Sequence, residues 1–298
     1  MWLTSESLNI ILNLTLAAIM FGLGLSLTKR DLNHLFASPK ALLIGLLGQM
    51  ILLPLIAWAV VQCTSFSLEL KMGIMILSIC PGGITSNLVT YFLRANVALG
   101  ISLTVLNAII SVFSIPFLIL LFSQEIGLTP QSVQFSFWHT LVEIFYVTVL
   151  PTILGFYFRR LFSMAGIIIN KYLNRILPLL LILIFGMKFF AGAIYGGSNI
   201  TISIILSLAP WMIILNMVSM AAGFFFGRIS KLNNRNALTC TIEIGLHNTA
   251  LALIIAGEKI GNKTMEQPAL VYALFSFLIT LGIGFILSRW FPFKSEVN

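Results

Sequence analysis

Charged residues are scarce in this sequence: Asp, Glu, Lys and Arg make up 9% of its 298 residues. Soluble domains usually carry about 25% of these residues, so the scarcity excludes an ordinary water-soluble protein. Hydrophobic residues make up 59% of the chain, and the mean hydropathy is +1.04. This composition predicts a polytopic membrane protein.

Cysteine is also rare. The three cysteines, Cys63, Cys80 and Cys240, have no metal-ligand spacing, which argues against a disulfide framework or a zinc site. No basic run precedes the first apolar segment, so we interpret that segment as a helix and not as a cleaved signal peptide.

Nine apolar segments are long enough to cross a bilayer, because about 20 helical residues span about 30 Å. The connections between them are short, and no water-soluble domain fits between them. We therefore predict an all-α polytopic membrane protein with nine transmembrane helices. The segments are 8–27, 41–62, 71–92, 97–122, 137–158, 175–195, 200–226, 238–257 and 268–288.

The Lys and Arg residues predict the orientation of these helices. Thirteen of them, beginning with Lys29 and Arg30, follow helices 1, 3, 5 and 7 or lie in the C-terminal tail, and three lie on the opposite side. We expect the N-terminus outside and the C-terminus in the cytoplasm, in a multi-pass protein of the bacterial inner membrane. The same asymmetry accounts for the net charge of +8, so we expect no nucleic-acid partner.

Two of the nine segments carry polar interruptions. Helix 3 contains Cys-Pro-Gly-Gly-Ile-Thr-Ser-Asn at 80–87, and helix 8 contains Glu-Ile-Gly-Leu-His-Asn at 243–248. Proline removes a backbone donor and glycine tolerates non-helical angles. Interrupted polar helices in corresponding halves indicate the binding site of a secondary transporter. The offset of five helices reverses the direction of crossing, which predicts an inverted repeat with helix 5 unpaired.

Glu243 is the residue that most strongly indicates chemistry. An acid at the centre of a spanning helix costs roughly 2.5–3.5 kcal/mol on insertion scales. A hard cation such as Na⁺ prefers oxygen ligands and charge compensation, and a buried carboxylate supplies both; the same group could instead carry a proton. His247 is a candidate for protonation or for packing, and Asn248 suits a substrate carboxylate or hydroxyl.

Other polar residues in the apolar helices have functional and structural interpretations. In helix 3, Ser86 and Asn87 offer side-chain oxygens, or bond back to a proline-kinked helix. In helix 4, one face carries Gly100, Thr104, Asn107 and Ser111, either facing the helix 3 site or packing between helices.

For five further polar residues packing is the preferred interpretation. They are Tyr272, Ser276 and Thr280 in helix 9, Asn216 in helix 7 and Gln49 in helix 2. Glu143 and Lys188 lie at similar depths in antiparallel helices, and we expect them to pair or to extend toward the surface.

The motifs at 80–87 and 243–248, with Asn-Val-Ala-Leu at 96–99, resemble those of the bile acid:sodium symporter family. The resemblance covers essentially the whole chain and implies a nine-helix member. It implies that the two broken helices cross within a core domain, which packs against a panel domain. The panel would comprise 1–40 and 123–199, and the core 41–122 and 200–298.

The resemblance also implies two sodium sites and a substrate site. The first sodium site would use Ser86, Asn87, Thr104 and Glu243. The second would use Gln49, Glu243 and the backbone carbonyls of Ile244 and Leu246. The substrate would lie near Asn248, Ile84, Thr85 and His247.

The chain departs from the family pattern at three positions. Gly100 stands where a serine is common, and His247 stands where a glutamine usually supplies the second site. Ile84 is bulkier than the residues common at its position. With His247 at this position, the second sodium ion could be absent, be bound more weakly, or be replaced by a proton on His247.

We therefore expect a sodium-coupled symporter of a small organic anion that works by alternating access. A proton-coupled carrier or facilitator of the same fold is the first alternative. A membrane-embedded enzyme and a ligand sensor are less favoured, because no second carboxylate or metal-binding set accompanies Glu243.

Overall fold

The computed structural model describes residues 5–28, 38–128, 136–192 and 195–292, and these residues form helices without any strand. Eight helices in the described ranges are long and apolar enough to cross a membrane, or nine when one bent pair is counted as a span. The prediction of an all-α polytopic membrane protein is therefore confirmed.

The spans are numbered α1 to α9 in chain order, and the halves of an interrupted span are a and b. Their bounds are α1 Ser5–Ser26, α2 Pro39–Gln62, α3a Leu68–Ile79, α3b Ile84–Phe92, α4 Val97–Ile126, α5 Phe137–Leu161, α6 Ser163–Phe190, α7 Ile202–Ile229, α8a Asn234–Gly245, α8b Thr249–Ile254 and α9 Lys263–Trp290. A π-helical turn, Ile255–Lys259, follows α8b directly.

One predicted boundary is wrong. Helix α6 begins at Ser163 and not at 175, because only Phe162 leaves helical geometry between α5 and α6. Lys171 and Arg175, expected in a connecting turn, therefore lie on a helix. The basic residues Lys29 and Arg30, on which the predicted orientation partly depends, lie outside the described residues.

Two helices widen at a π-type turn just before a proline. The turn at Gly48–Leu52 precedes Pro54, and the turn at Phe145–Val149 precedes Pro151. Proline cannot donate a backbone hydrogen bond, and its ring crowds the carbonyl four residues earlier. The wider turn relieves this crowding, and π-type turns often occur at functional positions. The first of them carries Gln49.

Each of the two polar stretches contains a break in its helix, at residues 80–83 and 246–248. The axes of α3a and α3b differ by 57° across residues 80–83, and Leu246 between α8a and α8b has extended angles, φ −130° and ψ 110°. The two interruptions touch, because the amide of Asn248 donates to the carbonyl of Pro81 over 2.8 Å. This contact brings the two motifs of the sequence to one place in the fold.

Helix α1 packs along α5 and α6. At Gly24 and Gly155 the α1 and α5 backbones approach so closely that a Cβ on either residue would collide with the other helix. Arg159 of α5 also donates to the carbonyl of Leu25 over 2.7 Å. Small residues permit such close approach between membrane helices.

The expected pairing of Glu143 with Lys188 is wrong. Lys188 Nζ lies 2.8 Å from Glu266 Oε1 on α9, and Glu143 Oε1 lies 2.8 Å from Lys259 Nζ. Equal depth in two antiparallel helices does not determine which neighbour a side chain faces. Lys188 therefore faces the first turn of α9, and Glu143 faces the turn that follows α8b, instead of each other.

Candidate cation and substrate site

Glu243 lies fully buried near the end of α8a. Its Oε2 atom accepts a hydrogen bond from the Thr104 hydroxyl of α4 over 3.1 Å. Asn87 of α3b donates to the same hydroxyl over 3.2 Å. The Ser86 hydroxyl donates to the carbonyl of Gly83 over 2.8 Å, and Ser86 Oγ and Glu243 Oε2 both lie against Gly82. Residues from α3b, α4 and α8a therefore meet at one carboxylate.

Two oxygen atoms beside Gly100 have no hydrogen-bond donor. They are Glu243 Oε1 and Asn87 Oδ1, and both are buried. A Cβ placed on Gly100 would lie 3.5 Å from the first and 3.0 Å from the second. A buried acceptor without a donor costs about 1–3 kcal/mol, and more if it is charged. Two such oxygens around one small space make this position the candidate cation site.

Gly82 provides the closest backbone approach to this carboxylate. A Cβ on Gly82 would collide with Glu243 Oε2 and would lie 3.1 Å from Ser86 Oγ and 3.4 Å from Gln49 Nε2. The absence of a side chain therefore lets the interruption of α3 reach the carboxylate. This requirement explains why glycine follows Pro81.

At the end of α8a, side chains from other helices hold every second backbone carbonyl. Gln49 Nε2 donates to the carbonyl of Glu243 over 2.7 Å. The carbonyl of Gly245 accepts from Tyr272 and Asn216. The carbonyls of Ile244 and Leu246 alternate along the chain with these two held carbonyls, and they are the ones that the family resemblance implies for a second ion.

The Gln49 side chain is oriented by a second amide. Asn107 Nδ2 donates to Gln49 Oε1 over 2.7 Å, which turns the Gln49 nitrogen toward Glu243. Asn107 therefore supports the candidate site indirectly, which favours the functional interpretation of the polar face of α4. Ser111 on the same face bonds to its own helix.

His247 is buried with 3% of its surface exposed, and neither ring nitrogen has a hydrogen-bond partner. Its ring stacks on Tyr272, with centroids 5.2 Å apart and planes at 23°. An imidazole always offers at least one donor, so two unpartnered nitrogens favour a binding role over a packing role.

Asn248 caps α8b. Its Oδ1 accepts from the Leu251 amide over 3.0 Å, and its Nδ2 is buried without a partner. Gly83 lies against this side chain. Ile84 and Thr85, at the start of α3b, are half-buried, so the donor of Asn248 and these side chains lie near the same interruption.

The structure thus groups the predicted residues in two places. One group surrounds Glu243, and the other lies where the two interruptions touch. The sequence interpretation assigned Asn216, Tyr272 and Thr280 to packing between helices, and their interhelical hydrogen bonds agree with it. It missed the hydrogen bonds of Asn216 and Tyr272 to the carbonyl of Gly245. A polar amide alone on the apolar helix α7 was the one signal that could have identified them.

Together, the apolar helices and the buried oxygen-lined interruptions define a polytopic membrane protein with a candidate ion site between its helices. A family model described as the Sodium Bile acid symporter family matches residues 13–206. The chain belongs to this family, whose members and relatives are transporters and not enzymes.

The curated relatives are similar over most of this chain. The "Probable sodium/metabolite cotransporter BASS1, chloroplastic" of Arabidopsis thaliana is 27% identical over 260 residues, which cover 86% of this chain and 61% of the relative. The "Uncharacterized sodium-dependent transporter YocS" of Bacillus subtilis is 25% identical over 81% of this chain and 72% of the relative. The mouse "Sodium-dependent organic anion transporter" is 24% identical over 87% of this chain and 68% of the relative. The chain spans about 60% of the length of the plant relatives.

Proposed function

We propose that this protein is a sodium-coupled symporter of a small organic anion. The observation that carries the proposal is the pair of buried, donor-free oxygens, Glu243 Oε1 and Asn87 Oδ1, on either side of Gly100. The relatives include a sodium/metabolite cotransporter, a sodium-dependent transporter and a sodium-dependent organic anion transporter by name, which supports the same class of ion and substrate.

The first sodium ion would bind Glu243, Asn87, Thr104 and Ser86. All four supply oxygen atoms, which hard cations prefer, and the carboxylate compensates the charge. With Gly100 in place of a serine, no hydroxyl from that position joins the set. The unpartnered Asn87 Oδ1, which lies beside Gly100, would be the oxygen ligand on that side of the ion.

The second sodium ion would bind the carbonyls of Ile244 and Leu246 together with Glu243. Gln49 takes part by holding the carbonyl of Glu243. His247 replaces the glutamine of the family pattern, and an imidazole is a poor ligand for Na⁺. We therefore propose that the second ion is bound more weakly than the first.

Substrate would bind where the interruptions of α3 and α8 touch. The unpartnered Nδ2 of Asn248 is a donor suited to a carboxylate or another anionic group. His247 can contribute a second donor, and Ile84 and Thr85 would shape the space. Filling the cation sites would fix both interruptions, and substrate affinity would rise through this linkage.

Movement would occur between a panel of α1, α5 and α6 and a core of α2–α4 and α7–α9. The close packing of α1 with α5 and α6 supports the panel. The contact between the two interruptions supports a core built from an inverted repeat with crossing broken helices. We further propose the bacterial inner membrane as the location, with the N-terminus outside.

A proton-coupled carrier is the second candidate. The specific observation in its favour is His247, because both of its buried nitrogens lack partners. A proton on this ring would replace the second sodium ion. Dependence of uptake on a pH gradient, lost in His247→Gln, would separate this candidate from the first.

The test is uptake into proteoliposomes. Small monocarboxylates, dicarboxylates and bile-acid-like anions would be screened by thermal stabilisation of the purified protein in sodium and in potassium. A compound that stabilises only in sodium would then be tested for uptake under an inward sodium gradient. We expect accumulation that Glu243→Gln abolishes; accumulation that is equal in sodium and potassium would contradict sodium coupling.

A further inference from the structure

Tyr272 and Asn216 take over a hydrogen bond that the interruption of α8 removes. In a continuous helix the amide of Thr249 would donate to the carbonyl of Gly245. It donates instead to His247 over 3.0 Å. The Gly245 carbonyl is then held by the Tyr272 hydroxyl and by Asn216 Nδ2.

The two donors come from different helices and support each other. Asn216 lies on α7 and Tyr272 on α9, and each has 1% of its surface exposed. Asn216 Nδ2 also lies 2.9 Å from the Tyr272 hydroxyl and 3.2 Å from Thr280 Oγ1. Because both side chains are buried and bonded, their positions are fixed by the packing of α7 against α9.

Tyr272 also contacts His247, the residue directly after Leu246. Its ring stacks on the His247 ring. Tyr272 therefore holds the carbonyl of Gly245 on one side of Leu246 and the side chain of His247 on the other. Gln49 holds the carbonyl of Glu243 from the other side. The carbonyls of Ile244 and Leu246 lie between these fixed points.

We infer that Tyr272 and Asn216 are positioning residues for the second cation site. By holding the Gly245 carbonyl toward α7 and α9, they leave the carbonyls of Ile244 and Leu246 to face the ion. The inference rests on the proposed function, since it assigns the two residues to the second of its cation sites. It also accounts for three polar side chains that ion binding does not use directly.

The test compares Tyr272→Phe with Ser276→Ala. Tyr272→Phe removes one hydroxyl and keeps the ring against His247, whereas Ser276→Ala removes one hydroxyl from the same buried face of α9. Thermal stabilisation of the purified proteins would be titrated with sodium at constant ionic strength. We expect Tyr272→Phe to raise the half-saturating sodium concentration of the weaker phase about tenfold, the order of one lost hydrogen bond. We expect Ser276→Ala to leave it unchanged.

Amide hydrogen exchange separates this inference from the proposed function. We expect faster exchange at 246–251 in Tyr272→Phe without sodium, and unchanged exchange at 97–112. If the wild type shows no sodium effect, the sodium proposal fails, and exchange alone then decides whether Tyr272 positions the segment. Equal sodium titrations and equal exchange in the two variants would overturn the inference.

A buried charge cluster at the predicted outer end of the bundle is a second feature that the site does not use. Lys188 of α6 pairs with Glu266 of α9 over 2.8 Å, and both side chains are at least 97% buried. Glu143 of α5 pairs with Lys259 over 2.8 Å. Asn13 of α1 donates to Glu258 over 2.6 Å.

Each of these three contacts joins the panel to the core. Its panel partner lies on α1, α5 or α6, and its core partner lies between 258 and 266. Buried charges are costly, and their pairing specifies one arrangement more than it stabilises the fold. Near the opposite end, the two smaller apolar clusters consist of core residues, such as Ala41 and Leu103 in one and Leu93 and Ile242 in the other.

We propose that the cluster closes the outer side of the carrier by holding the panel against the core. The three contacts can form together in only one relative position of the two units. Movement that opens the outer side must separate Lys188 from Glu266 and Glu143 from Lys259. This second inference also rests on the proposed movement, but its test needs neither sodium nor substrate.

The test uses a cysteine at Leu12, which is fully buried in the apolar cluster shared by panel and core. The exposed Cys63 would be replaced by serine, and labelling of purified protein would be timed. Lys188→Glu places two carboxylates against each other, and we expect labelling about tenfold faster. Adding Glu266→Lys should restore the slow rate, and Lys71→Glu at the same end should not change it.

Failure of the charge swap to restore slow labelling would overturn the closure. If Lys188→Glu does not fold, Glu266→Gln provides the same comparison with a smaller expected increase. An unchanged labelling rate in a folded Glu266→Gln would also contradict the proposal. Sodium-dependent stabilisation of these variants is measured separately, so loss of the ion site cannot be mistaken for loss of the closure.

Discussion

At the scale of single residues, the account depends on how Glu243 is surrounded. Its carboxylate is fully buried, and one of its oxygens is bonded to Thr104 while the other has no donor. A charged group in this position needs a cation or a proton for most of its lifetime. The neutral oxygens around it favour a cation.

Thr104→Val tests the neutral part of the first site. Valine has nearly the same shape but lacks the hydroxyl that contacts both Glu243 and Asn87. We expect a half-saturating sodium concentration raised about tenfold. Thr241→Val is the control, because the Thr241 hydroxyl is equally buried but bonds only within its own helix. Equal effects of the two substitutions would exclude Thr104 from the site.

Gly100→Ala tests the space between the two donor-free oxygens. The added Cβ would lie 3.0 Å from Asn87 Oδ1, where it would obstruct an ion shared by that oxygen and Glu243. We expect loss of sodium-dependent stabilisation. Overpacking should also lower the free energy of unfolding by about 1–3 kcal/mol. Sodium binding at wild-type strength would contradict this location for the ion.

At the scale of helices, the interruption of α3 brings the backbone of Gly82 against the Glu243 carboxylate. Gly82→Ala would drive a methyl group into the carboxylate, whereas a Cβ on Gly83 would make an ordinary 3.7 Å contact with Asn248. We expect Gly82→Ala to abolish sodium-dependent stabilisation and Gly83→Ala to preserve it. Thermal titration of both variants checks this; a reversed order would show that the approach is not required.

The sequence predicted the elements better than their contacts. Pro81, the adjacent glycines and the polar residues of 243–248 marked both interruptions, because proline and glycine affect local backbone geometry directly. Boundaries were close except at α6, where a single non-helical residue separates two helices.

The contacts of single side chains were harder to predict. Glu143 and Lys188 were paired incorrectly because depth along a helix says nothing about its rotation. Tyr272 and Asn216 were assigned to packing because their carbonyl partner becomes available only when α8a ends at Gly245.

At the scale of the whole molecule, the distribution of Lys and Arg predicts the orientation in the membrane. Cys63 follows α2 and is exposed, whereas Cys80 and Cys240 are buried. We expect a membrane-impermeant thiol reagent to label Cys63 in intact bacterial cells, and Cys63→Ser to abolish that labelling. Labelling that requires permeabilised cells would reverse the predicted orientation.

Sodium-dependent stability shows whether Glu243 binds sodium. The purified protein would be unfolded thermally in sodium and in potassium at equal ionic strength, beside Glu243→Gln and a half-buried control outside the site, Glu69→Gln. One site with a dissociation constant of about 10 mM adds about 1.4 kcal/mol at about 100 mM sodium. We predict sodium-specific stabilisation of the wild type and of Glu69→Gln that is absent in Glu243→Gln. Equal stability of the wild type in sodium and potassium would contradict a sodium site at Glu243.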